Sequence, residues 1–66
     1  MPVTKVRYTQ GLQFVAENRG HDTIIDLPAN DGGQDKGPTP PETFINSLGS
    51  CIGVYLVGYC QRHNIP

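Results

Sequence analysis

The sequence predicts an α+β fold in which a three-stranded antiparallel meander is followed by one long central helix. Two observations support this prediction. Three short strand-like segments lie before residue 28, and one helical segment covers residues 40–62 after a loop at residues 28–38. The chain is predicted to form one small domain, residues 1–66, and a domain of this length buries only about 60% of its unfolded surface.

The first half of the chain has the pattern of three strands joined by short turns. Residues 3–9 alternate charged and apolar side chains, which is typical of a half-exposed strand. Residues 12–16 form the second predicted strand, and residues 22–27, rich in β-branched side chains, form the third. The connections are short and contain glycine and polar residues, so antiparallel pairing is expected.

The start of the helix is marked by several local signals. Thr39 fits the N-cap position, and Pro40 fits the first helical position because its missing N–H would have no partner inside the helix. Glu42 completes a capping box and places a carboxylate at the positive end of the helix dipole. Arg62 lies at the negative end, so the helix is predicted to cover residues 40–62.

The second half of this helix needs cover from outside the chain. From Cys51 to Cys60 no strongly polar residue occurs, so this half is expected to be buried on all sides. A helix of this length spans about 35 Å, whereas a compact domain of this size is about 28 Å across, and three short strands can cover one face. Gly49 and Gly53 open a notch where another helix can approach closely. We therefore expect a homodimer or higher homo-oligomer.

Composition excludes several function classes. A net charge of −1 provides no basic surface for nucleic acid or for an anionic membrane. The apolar run from Cys51 to Cys60 is shorter than the roughly 20 residues that span a bilayer. The first ten residues contain no apolar signal segment, and no phosphate-binding motif follows the Gly32-Gly33 pair. A cytoplasmic protein without a cofactor is expected.

The two cysteines are expected to be free thiols. Cys51 and Cys60 are nine residues apart, which places them on opposite faces of one helix and about 13.5 Å apart along its axis. A disulfide between them within an intact helix is therefore excluded. Cys60 and His63 could be half of a zinc site shared by two chains, but a buried cysteine and a helix-capping histidine are the favoured interpretation, and no metal is expected.

Residues 20–66 resemble the N-terminal half of the OsmC/Ohr family, the osmotically inducible proteins C and organic hydroperoxide reductases. The matching features are Gly20-His21 before a strand that ends in Asp26, the Gly32-Gly33 loop, the Gly37-Pro-x-Pro40 segment with Glu42, and Leu48-Gly-Ser-Cys51. The spacing of eight residues between Glu42 and Cys51 is most similar to a less characterised OsmC-like branch.

The resemblance implies an activity and an assembly. Family members reduce organic hydroperoxides with a peroxidatic cysteine, oriented by an arginine and a glutamate, in intertwined homodimers with long central helices. It implies that Cys51 is the peroxidatic cysteine, Glu42 the glutamate and Arg19, in the second turn, the arginine. The family's resolving cysteine lies in a second helix that these 66 residues do not include, so an external thiol is expected to act on Cys51.

Each site candidate has a structural alternative. Cys51 could be a small buried apolar residue, Glu42 a capping residue alone, and Arg19 a solvated turn residue, with Arg7 as a second candidate cation. Glu42 also lies nine residues before Cys51, so a contact requires a bend at Gly49 or a Glu42 from the partner chain.

Two functions are therefore expected from the sequence. The leading one is thiol-dependent reduction of small hydrophobic hydroperoxides. The alternative is a non-catalytic, truncated OsmC-like module for dimerisation or small-molecule binding. An end of the protein at Pro66 would favour the module, and a continuation with a second cysteine would favour the enzyme.

Overall fold

The computed structural model describes residues 3–66, so Met1 and Pro2 of the predicted domain lie outside the described residues. Three strands, β1 (Thr4–Gln10), β2 (Gln13–Asn18) and β3 (His21–Ile25), form one antiparallel sheet in the order β1-β2-β3. A 3₁₀ turn at Ala29–Asp31 precedes the helix α1 (Pro40–Arg62). The predicted α+β fold, a meander followed by one long helix, is confirmed.

The connection between β2 and β3 is a two-residue hairpin turn. Asn18 pairs with His21, and the two residues between them, Arg19 and Gly20, have φ angles of 52° and 83°. Positive φ at both central positions is the type I′ geometry, whose twist matches that of the paired strands. Arg19 therefore lies at the tip of a tight hairpin.

The loop after β3 is organised around the side chain of Asp26, which is 1% exposed. Its carboxylate accepts hydrogen bonds from the backbone N–H groups of Leu27 at 2.7 Å and of Gln34 and Lys36 at 3.3 Å each. Its own N–H donates to the carbonyl of Pro38 at 3.0 Å. One residue thus holds both the middle and the end of the loop against the sheet.

Two glycines allow the loop to approach the backbone this closely. A β-carbon on Gly33 would overlap the carbonyl of Leu27, and one on Gly37 would overlap the carbonyl of Ile24. Because the obstructing atoms are backbone atoms, no side-chain rotation can relieve either overlap. The loop therefore requires glycine at both positions, which explains part of its glycine content.

The helix is exposed along its whole length, which corrects one expectation. The three strands were expected to cover one face of α1, but no helix residue is buried and the sheet does not pack along the helix. Among the described residues Val15, 6% exposed in the central strand, is the one buried apolar side chain. The Asp26–Pro38 hydrogen bond holds the sheet near the start of α1, and the sheet does not pack along the apolar second half of the helix.

The shape and the surface area quantify this openness. The radius of gyration is 15.6 Å, against about 11 Å for a compact chain of this length. The accessible surface is 5420 Å², whereas a compact monomer of 7.2 kDa exposes about 4,100 Å². The excess of about 1,300 Å² exceeds the roughly 800 Å² that each partner buries in a standard protein interface.

Replacement of Asp26 tests the role of its carboxylate in the loop. Asp26→Asn substitutes an amide NH₂ for one of the accepting oxygens, so the backbone N–H groups at Gln34 and Lys36 lose acceptor capacity. We expect faster hydrogen exchange at these two amides than in the wild-type protein. Asp22→Asn, at an exposed position of β3, is the matched control and should leave both rates unchanged.

The same carboxylate predicts a pH dependence. The pKa of Asp26 lies below its usual 3.8, chiefly because its carboxylate accepts a hydrogen bond from the Leu27 N–H. Burial acts in the opposite direction, whereas the N–H groups of Lys36 and Gln34 and the charge of Lys36 lower the pKa further. A lowered pKa means that this stabilisation is present above pH 3.8 and is lost as the pH falls through the folded-state pKa. If the loop amides stayed protected from hydrogen exchange at a pH well below the folded-state pKa of Asp26, this assignment would be contradicted.

Candidate functional site

The segment that leads to the candidate cysteine begins with a complete capping box. The N–H and the hydroxyl of Thr39 donate to Glu42 Oε1 at 2.9 and 3.0 Å, and the Glu42 N–H donates to Thr39 Oγ1 at 3.3 Å. Pro40 occupies the first helical position. The predicted helix start is therefore confirmed.

The capping box also sets the charge state of Glu42. The hydrogen bond from the Thr39 N–H, followed by that from its hydroxyl, lowers the pKa of Glu42 below its usual 4.5, while burial acts in the opposite direction. Glu42 is therefore ionised near neutral pH, and its Oε1 accepts both hydrogen bonds from Thr39. Within one chain its carboxylate is directed back to Thr39, at the start of the helix.

Cys51 lies midway along the helix with its side chain exposed. One turn away on either side are the exposed side chains of Leu48 and Tyr55, so the thiol is set in an apolar, uncovered surface. The helix is continuous through Gly49, so it contains no break that could bring Glu42 towards Cys51. Nine residues of unbroken helix separate the two by about 13.5 Å of rise.

The candidate cations lie on the sheet. Arg19 is exposed at the tip of the β2–β3 hairpin, and Arg7 is exposed on β1, where it pairs with Val15. Because the sheet does not pack along α1, neither strand surface covers the helix around Cys51. Within a single chain the structure therefore places Cys51, Glu42 and Arg19 on three separate parts of the molecule.

The end of the helix contains the other cysteine. Cys60 is half-buried and free, and the His63 ring lies against that of Tyr59, with 4.3 Å between ring centroids. His63 is the C-cap residue. Within residues 3–66 no group of three histidine, cysteine or acidic side chains is arranged to hold a metal ion.

The helix has two shallow surface depressions and enough length and apolarity to span a membrane, and neither feature was anticipated from the sequence. One shallow depression lies beside Glu42 and Ile45, and a second runs along the helix from Ser50 to Gln61. The helix is also long enough and apolar enough to cross a membrane; core helices of soluble proteins meet the same criteria but are mostly buried, whereas none of this segment is buried within the chain. The uncharged part of the helix, residues 43–61, is longer than the apolar run from Cys51 to Cys60, because the residues before Cys51 are also uncharged.

No family model, curated protein or solved structure matches this chain. The interpretation of the site therefore depends on its residues and their geometry. The thiol of Cys51 is exposed on an apolar helix whose first turn is fixed by a capping box. The two candidate arginines, Arg19 and Arg7, lie on the sheet, away from the thiol and from the start of the helix.

The capping box gives a testable contribution to stability. Thr39→Ala removes both the acceptor for the Glu42 N–H and the hydroxyl donor, so we expect a loss of about 1 kcal/mol in helix stability. Denaturant unfolding followed by circular dichroism measures it. Ser47→Ala, an exposed mid-helix change, is the control, and an equal loss in both variants would show that the box contributes nothing specific.

Proposed function

We propose that this chain is a thiol-dependent reductase of organic hydroperoxides, with Cys51 as the peroxidatic cysteine in an assembly of at least two chains. The observation that carries the proposal is the exposed thiol of Cys51 in an apolar helix surface, nine residues after the capping box. The proposal also rests on the OsmC-like spacing of Glu42 and Cys51 noted in the sequence. The proposal places the protein in a reducing, cytoplasmic compartment, where both thiols stay free.

The proposed chemistry is a two-electron reduction. The Cys51 thiolate attacks the terminal, hydrogen-bearing oxygen of the hydroperoxide, the O–O bond breaks, and the departing alkoxide takes a proton to give an alcohol. Cys51 is oxidised to a sulfenic acid. An external thiol then reacts with the sulfenic acid to give a mixed disulfide with Cys51 and water. A second external thiol attacks this mixed disulfide, which restores the Cys51 thiol and releases a disulfide of the two external thiols.

The apolar surroundings of Cys51 favour an alkyl hydroperoxide over hydrogen peroxide as the substrate. The alkyl group would lie against Leu48 and Tyr55, which are both exposed in one chain. Glu42 and Arg19 lie apart from Cys51 within a chain, so in this proposal they reach the thiol from another chain of the assembly. Arg19 supplies a positive charge, which favours the thiolate over the thiol.

Selective labelling tests the reactivity of Cys51. We expect iodoacetamide near pH 7 to label Cys51 before Cys60, because the proposal gives only Cys51 a nearby cation that favours the thiolate. An unassisted thiol with a pKa of about 8.5 is only a few per cent ionised at that pH. An alkyl hydroperoxide should yield a dimedone-trapped sulfenic acid on Cys51, detected by mass spectrometry. Cys60→Ser is the matched control and should keep both reactions, whereas Cys51→Ser should lose them.

Arg19→Ala should raise the midpoint pH of Cys51 labelling by at least one unit, since it removes the cation that the proposal assigns to the thiolate. Arg7→Ala, on the neighbouring strand, is the control. Equal and slow labelling of Cys51 and Cys60, with a midpoint at or above pH 8.5 and no sulfenic acid, would overturn the enzymatic proposal.

The alternative function is a non-catalytic dimerisation or small-molecule-binding module. It is favoured by the excess exposed surface and by the burial of one apolar side chain, Val15, among residues 3–66, since both favour a partner whatever the role of Cys51. Under this interpretation the only role of Glu42 is to cap the helix, and its hydrogen bonds with Thr39 are sufficient to account for that role. The labelling experiment distinguishes the two functions.

Both functions require assembly. We expect light scattering after size exclusion to give at least twice the 7.2 kDa mass of one chain, because the helix has no buried residue in the isolated chain. Val54→Asp places a charge on the most exposed large apolar side chain of the helix and should shift the mass towards that of a monomer. A well-folded wild-type monomer at all concentrations would contradict the assembly.

A further inference from the structure

The apolar half of α1 is palindromic in its residue types. From Cys51 to Cys60 the sequence is CIGVYLVGYC, so cysteine, glycine and valine recur in the same order from both ends. The centre of the palindrome lies between Tyr55 and Leu56. A helix face with this symmetry presents the same residue types when it is turned end over end.

The depression along this half of the helix follows the same symmetry. Its six lining residues form three pairs about the centre of the palindrome: Ser50 with Gln61, Gly53 with Gly58, and Val54 with Val57. At about 100° of rotation per residue these six share one face of the helix. We call this surface the palindromic face. At its centre Val54 is 73% exposed, the highest value of any large apolar side chain among the described residues.

We propose that the palindromic face is the docking surface for a second copy of this chain, with the two helices antiparallel and the partner's Arg62 placed beside Cys51. A two-fold interface pairs residue i with j and j with i, which is the relation that the palindrome provides. Val54 of each copy then lies level with the partner's Val57, and glycines on either side leave room for close approach. An antiparallel pair also opposes the two helix dipoles.

The exposed area supports a second copy as the occupant. The chain exposes about 1,300 Å² more than a compact monomer, and a standard interface needs roughly 800 Å² from each partner. The helix has no charged residue between Glu42 and Arg62, so no charge is buried when the middle of the palindromic face is covered. A self-complementary apolar face satisfies both requirements.

Arg62 reaches Cys51 only across such a pair. Within one chain the two are eleven residues apart, which is about 16.5 Å of rise, although they lie along nearly the same edge of the helix. The two-fold axis keeps that edge on the same side of the pair and brings the partner's Arg62 to within about 3 Å of the level of Cys51. The Arg62 Nη1 already lies 3.4 Å from the β-carbon position of Gly58, so the guanidinium is folded back towards that level.

The same arrangement treats the two cysteines differently. Cys60 lies along the opposite edge of the helix, within about 3 Å of the levels of the partner's Gly49 and the partner's Gly53. It therefore meets the glycine notch and no cation. The assignment of a role to Arg62 rests on the proposed thiol function of Cys51, whereas the antiparallel register does not.

Cross-linking tests the register. In a Cys51→Ser, Cys60→Ser background, chains carrying Ser50→Cys are mixed with chains carrying Gln61→Cys and treated with a short bismaleimide. An antiparallel pair joins position 50 to position 61 of the partner and leaves like positions about 16.5 Å apart. We expect mixed cross-links only. Cross-links between like positions, or chains that float with phosphatidylcholine vesicles in place of cross-linking, would overturn the inference.

Mixed dimers test the role of Arg62. Arg62→Ala should raise the midpoint pH of Cys51 labelling by about one unit, leave Cys60 unchanged, and be partly rescued by Arg62→Lys. A tenfold excess of Cys51→Ser chains, which carry Arg62, should restore the midpoint in Arg62→Ala chains. An excess of the Cys51→Ser, Arg62→Ala double variant should not, because it brings no cation.

The outcomes separate the inference from the proposed function. Mixed cross-links with no effect of Arg62→Ala would overturn the role of Arg62. Restoration by the double variant would overturn it as well. Failure to trap a sulfenic acid on Cys51 would instead overturn the hydroperoxide reductase proposal, and the antiparallel register would still stand on its cross-links.

Discussion

The buried carboxylate of Asp26 is the constraint on which the rest of the structure depends. It gathers three backbone N–H groups of the loop, and its own N–H holds the carbonyl of Pro38, the residue before the helix N-cap. A buried charge is tolerated when hydrogen bonds replace its lost hydration, and here the backbone supplies them. The end of the sheet and the start of the helix are thereby joined at one residue, although their surfaces do not pack together.

A helix joined in this way at its first turn has no buried residue, and the sheet does not pack along it. Its stability within one chain comes from local terms, namely the capping box of Thr39 and Glu42, the proline at the first position and Arg62 in the last turn. Such terms are worth around a kilocalorie each, and they do not compensate for the exposure of a whole apolar half. In the proposed assembly, association would bury the part of the helix that these local terms leave exposed.

The division of the candidate site follows from the same geometry. Cys51 is on the helix, Arg19 at a hairpin tip and Glu42 at the helix start, and one chain provides no surface that joins them. Catalysis at Cys51 would therefore depend on assembly, so reactivity would be switched on only in the associated state. The proposed pairing through the palindromic face gives that dependence a specific form, because it would place Arg62 of one copy beside Cys51 of the other.

The sequence by itself determined the strand order, the long helix and its capping box, since these depend on residues that are adjacent or three to four positions apart. The opposite faces of Glu42 and Cys51 also followed from helix periodicity alone. Only the tertiary structure decided that Asp26 anchors the loop to β3, with Gly33 and Gly37 allowing its close approach, and that the strands leave α1 uncovered. These outcomes depend on which distant surfaces meet, and the free energy of such contacts is not written in any local pattern.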